Sequence, residues 1–135
     1  MIFDAAALIA RLLLATVFLP NGLLKLFDLQ GTAGYFDSLG FPSPYAVAVA
    51  TAAFEMLAGL AIVAGFWTRA VALLLAAFCI VAGSLGHLGQ GGDDAAVSFM
   101  HLQAFMKDVG LAGGFIALAL AGPGRFSLDG AAGPR

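Results

Sequence analysis

The most informative positions are the titratable side chains that interrupt apolar runs. Glu55 stands near the middle of the run from about Ala46 to Phe66. About nine residues into a helix it lies roughly 13 Å deep. A carboxylate there is costly unless it is protonated, paired or facing water. Two readings stay open: a paired or hydrogen-bonded clamp inside a bundle, or a group that holds a ligand or a proton. Partners for it exist on the first run, where Arg11, Phe18, Gly22 and Lys25 fall within about 40° of one face at 100° per residue. Asn21, about 80° off that face, adds a neutral polar group. Arg11 has a side chain long enough to reach inward, so pairing with Glu55 is the expectation. Lys25 is expected to snorkel to the opposite interface.

His87 closes the third apolar run and His101 opens the fourth. Two imidazoles on neighbouring helix ends are ligand types for haem iron or another metal, and Asp93, Asp94 and Asp108 could add oxygens. The spacing is against it, because there is no HxxxH or ExxH and a glycine-rich stretch separates the two histidines. Ordinary hydrogen bonding near an interface is the expected outcome, with no metal site and haem disfavoured. Lys107 and Asp108 form either a buried or an interfacial pair. The serines have no nucleophile–base context, so no catalytic residue is assigned. Gly83, Gly86 and the GxxxG of Gly110 and Gly114 read as packing seams rather than a phosphate loop.

Helices must position these groups, and four runs are long enough to cross a bilayer: about 5–27, 46–66, 70–88 and 102–121. The fold class expected is all-α, a four-transmembrane-helix bundle over residues 1–122 with a cytoplasmic tail at 123–135. Composition agrees. Of 135 residues 61% are hydrophobic and 10% charged, against about 45–50% and 25% in soluble domains. With twelve Phe, six Lys plus Arg and net charge −2, there is no basic footprint for nucleic acid. The lone cysteine, Cys79, excludes an intramolecular disulfide and dithiol chemistry.

Residues 28–45, rich in Gly and Pro, read as an outer connecting segment, and 65–69 as a tight turn. Residues 89–94 read as a flexible acidic loop. The first run lacks a basic n-region and a cleavage pattern, so it is expected to stay as a span. Arg69, Arg125 and Arg135 gather toward one side, with Arg11 nearer to it, and the positive-inside rule puts both termini in the cytoplasm.

These features together resemble the DoxX-like family. The resemblance rests on Arg11 to Gly22-Leu23-Leu24-Lys25, then Glu55 with Gly59. It continues through Gly65-Phe66-Trp67-Thr68-Arg69 and the closing Gly124-Arg125-Phe126-Ser127-Leu128-Asp129. It implies a compact four-helix membrane bundle, related to a small subunit of thiosulfate:quinone oxidoreductases. It also implies a membrane or peripheral oxidoreductase partner and a link to the quinone pool. The leading expectation is a small integral subunit of a membrane-bound oxidoreductase assembly, multi-pass in the cell membrane. Quinone is the candidate cofactor, and Arg11, Asn21, Lys25, Glu55, Lys107 and Asp108 are the candidate ligand-binding or buried polar core. The alternative is a non-enzymatic scaffold or a small-molecule or lipid-binding protein, with glycine seams building a homo-oligomer. A proton or ion pathway ranks third.

Overall fold

The computed structural model describes residues 1–131; Arg135, counted above for orientation, lies outside the described residues. Within them the chain is all-helical. The order is α1 (Ile2–Phe27), α2 (Leu29–Ser38), α3 (Pro44–Ala64), α4 (Thr68–His87), α5 (Ala95–Ala121) and α6 (Leu128–Ala131). Four of these, α1, α3, α4 and α5, are long and apolar enough to cross a membrane. Large hydrophobic side chains face outward from all four, among them Leu24, Leu57, Leu74 and Leu120. That is the arrangement of a surface solvated by lipid tails rather than water.

Two elements depart from expectation. The segment read as an irregular connection contains α2. Asp28 caps it by accepting from the Gly31 amide at 2.8 Å, and Leu29, Ala33 and Phe36 recur at helical spacing, with Ala33 buried. One cap and one apolar stripe outweigh the glycines. Helix α5 begins at Ala95, not near Leu102, because the Asp94 carboxylate accepts from the amides of Ala96 and Val97. The Gly-rich loop before it stands as expected. Pro44 opens α3, where its missing N–H costs nothing.

The bundle is two helix pairs, α1 on α3 and α4 on α5, with α2 laid over α3. Small residues meet where α1 packs on α3, Gly59 against Leu19 and Phe18 and Gly22 against Met56 and Glu55, and Ala48, Ala52 and Ala58 of α3 are buried as well. A Cβ on Gly22 would lie 3.0 Å from Met56 Cγ and 3.1 Å from Glu55 Cβ. Expected seam glycines behave unevenly. Gly83 touches Asp108 and Gly114 touches Leu14, whereas Gly110 faces open space. Where the pairs meet, Phe18, Phe115, Ile62 and Leu75 are buried, and the Phe18 and Phe115 rings cross edge-on at 5.4 Å.

Both ends of the described chain lie at one end of the bundle, here called the Arg69 end. The Asp4 carboxylate accepts from the Arg125 amide at 2.9 Å. Residues 123–131 do not trail away but fold back onto this end. The Asp129 carboxylate accepts from the amides of Trp67 (3.0 Å) and Thr68 (2.8 Å), capping α4, and the Asp129 amide donates to Gly65 O. Arg69 donates to Ala119 O and Leu120 O, closing the last turn of α5.

Candidate functional site

The titratable residues sort into two groups at opposite ends. Arg11 is fully buried at the Arg69 end. Its guanidinium donates to Ile62 O (3.4 Å) and Val63 O (3.1 Å), at the C-terminus of α3, and to Phe126 O in the tail. The two α3 carbonyls lie in the last turn, where intrahelical donors run out, although Ile62 O also accepts from the Gly65 amide at 3.2 Å, and the forked guanidinium meets several acceptors at once. The expected Arg11–Glu55 pair therefore does not form. Arg11 shares a face with Lys25, but the two are separated along α1 by about 21 Å.

Glu55 pairs instead with Lys25. The Lys25 ammonium lies 2.8 Å from Glu55 Oε1 and 2.7 Å from Oε2, so one cation bridges both oxygens. Lys25 thus turns inward rather than snorkelling. The Glu55 side chain is only 7% exposed and that of Lys25 26%. A pair buried to this degree holds together because either charge alone would be left without compensation.

This pair forms part of the wall of a cavity of about 310 Å³ at the other end of the bundle, the Lys25 end. Helix α1 contributes Val17, Phe18, Asn21 and Lys25, and α3 contributes Val47, Thr51 and Glu55. Helix α4 supplies Phe78, Cys79, Ala82, Leu85, Gly86 and His87, and α5 supplies Lys107, Asp108 and Leu111. Tyr35, Phe36 and Leu39 of α2 close the remaining side. The Tyr35 hydroxyl donates to Gly86 O at 3.4 Å, tying α2 to α4. Burial pushes the Tyr35 phenol up from its ordinary pKa, so it stays a donor through the physiological range.

At the α4–α5 side of the cavity, the Nδ1 atoms of His87 and His101 are 3.1 Å apart. The Nε2 of His87 lies 3.8 Å from Asp108 Oδ2, and Lys107 Nζ lies 3.6 Å from Asp108 Oδ1. Among the described residues, no three His, Cys, Asp or Glu side chains are grouped to hold a metal ion. Of the residues singled out from sequence, Asn21, Lys25, Glu55, Lys107 and Asp108 line one cavity together, while Arg11 is remote from it. Tyr35 and Thr51 were not foreseen. The stripe Leu29, Ala33, Phe36 was the available signal for the helix that carries Tyr35.

Residues 6–88 match the sequence profile of the DoxX family. The chain belongs to the DoxX family. Among DoxX-like relatives, "Inner membrane protein YphA" of Escherichia coli (strain K12) is 36% identical over 90% of this chain and 86% of its own length. "Inner membrane protein YqjF" of the same organism is 35% identical over 93% of this chain and 91% of its own length. "Putative oxidoreductase CatD" of Bacillus subtilis (strain 168) is 34% identical over 55% of this DoxX-family chain and 54% of its own length. No solved structure matches it.

Proposed function

We propose that this DoxX-family chain is a small inner-membrane subunit of an oxidoreductase assembly and that its cavity receives a quinone headgroup. The observation that carries this reading is the convergence of polar groups from α1, α2, α3, α4 and α5 on one cavity inside an otherwise apolar bundle. Ligand sites have this character: mostly apolar walls, a few convergent polar groups, and a volume of about 300 Å³ or more. Asn21 and Lys25, whose ammonium keeps a third N–H beyond the two on Glu55, supply donors suited to carbonyl oxygens, and Phe18, Phe36 and Phe78 supply flat apolar surface. A quinone, when bound, supplies two-electron redox chemistry that no side chain here provides. Electrons would come from a partner protein, and the relative named as an oxidoreductase supports that pairing. We infer that the Arg69 end of the bundle, where the described chain starts and stops, faces the cytoplasm, since Arg69 and Arg125 lie there.

The test is gentle detergent purification, mass spectrometry of co-extracted lipids, and titration with decylubiquinone by calorimetry. The expected result is a co-purifying quinone and saturable binding. Ala82→Phe, which fills the cavity from its wall, should abolish that binding and leave the thermal unfolding midpoint unchanged. An absent quinone together with no saturable binding would overturn the proposal. The scaffold reading would then stand, and Glu55 would be a clamp alone.

A further inference from the structure

His87 occupies two boundaries at once. It lines the cavity, and it also lines a second cleft of about 300 Å³ beside Gly89, Gln90, Gly92 and Ser98 at the same end of the bundle. Its two ring nitrogens are engaged on different partners, Nδ1 with His101 and Nε2 with Asp108. We propose that His101, His87 and Asp108 form a proton relay between the surface at the Lys25 end and the cavity, a reading that rests on the cavity being a ligand site.

The stereochemistry of imidazole limits the tautomers that can carry the relay. Two facing Nδ1 atoms at 3.1 Å make a hydrogen bond only if one carries a proton and the other does not. With His101 Nδ1–H as donor, His87 Nδ1 is bare, and the neutral His87 ring must carry its proton on Nε2, facing the Asp108 carboxylate. A proton arriving at His101 Nε2 is passed as follows. The bridging proton moves from His101 Nδ1 to His87 Nδ1, and the Nε2 proton of His87 moves to Asp108 Oδ2. His101 and His87 end neutral with exchanged tautomers, and Asp108 ends as the neutral acid at the cavity wall. No electron moves. The 3.8 Å between His87 Nε2 and Asp108 Oδ2 is closed by one bridging water or a small side-chain rotation.

The surroundings hold this geometry. Gly83, one turn before His87 on α4, leaves room for the Asp108 carboxylate, since a Cβ there would lie 2.9 Å from Oδ2. The charged and titratable groups facing His87 are His101, Lys107 and Asp108 from α5, and Tyr35 from α2. Across the cavity stands the Lys25–Glu55 pair of α1 and α3. Lys107 Nζ lies 3.6 Å from Asp108 Oδ1, on the side of the carboxylate away from the oxygen that faces His87.

The test is a light-triggered proton release on the purified full chain in detergent, followed by time-resolved infrared spectroscopy. A protonated-carboxyl band absent from Asp108→Asn should rise after the flash. His87→Phe and His101→Ala should each slow it about a hundredfold, the scale of a lost general acid–base group, and imidazole in the buffer should restore His101→Ala. Thermal unfolding checks that each variant is folded. The proposal is overturned by the absence of an Asp108 band, by unchanged kinetics in a folded His101→Ala, or by a stoichiometric metal ion found between the two rings. Failure of decylubiquinone binding with the relay kinetics intact would remove the ligand reading and leave the relay standing.

Discussion

Lys25 and Glu55 hold their charges only as a pair, and the energetics of that pair can be read separately from any ligand. Glu55→Gln or Lys25→Met alone leaves one buried charge uncompensated and should cost about 3–5 kcal/mol of stability. The double variant Lys25→Met/Glu55→Met should recover most of that loss, measured by denaturant unfolding in detergent. A double variant as unstable as the sum of its singles would show that the two side chains do not act as a unit. At Arg11 the demand is for a fork, because it serves Ile62 O, Val63 O and Phe126 O together. Arg11→Lys should therefore destabilise by about 1–3 kcal/mol despite keeping the charge, as buried carbonyls lose donors. The sequence marked the right residues here and mispaired them. A helical wheel reports angle and is blind to depth, so Arg11 was matched to Glu55 and Lys25 was left to the interface.

The four long helices were legible because each carries its own signal, a predominantly apolar run of membrane length. Helix α2 was hidden by composition, with Gly31 and Gly34 reading as breakers while Asp28 acted as a cap. Asp28→Ala should cost about 1 kcal/mol of helix stability. Since α2 covers the cavity, the effect should appear as faster amide hydrogen exchange in residues 29–38, with α1 and α3 unaffected. Equal acceleration throughout would show that α2 does not open independently. The α1–α3 pair depends on the missing side chain at Gly22. Gly22→Val sets branched carbon against Met56 and Glu55, where even a Cβ finds only about 3 Å, and the Lys25–Glu55 contact should be lost with it. A melting midpoint within error of wild type would contradict the seam.

The Asp4–Arg125 hydrogen bond brings residues near the two ends of the described chain to one end of the bundle, as four spans require. The cavity and its set of polar walls were not legible, because they require five helices to be placed relative to one another. Nor was the return of residues 123–131, which read only as a tail. Asp129→Ala removes the acceptor of the Trp67 and Thr68 amides and should lower stability by about 0.5–2 kcal/mol, the range of a lost N-cap. The loss should be seen in thermal unfolding, with decylubiquinone affinity retained at the far end of the bundle. The tail contact also has a consequence in time. Arg11 and the Phe126 carbonyl that receives it are 115 positions apart in the chain. At about 5–20 residues per second, the ribosome extrudes the acceptor roughly 6–23 s after the arginine. During that interval the first helix waits in the membrane with its guanidinium incompletely matched. A chain broken off before Phe126 would keep the Arg11 guanidinium short of one of its three carbonyl acceptors for good.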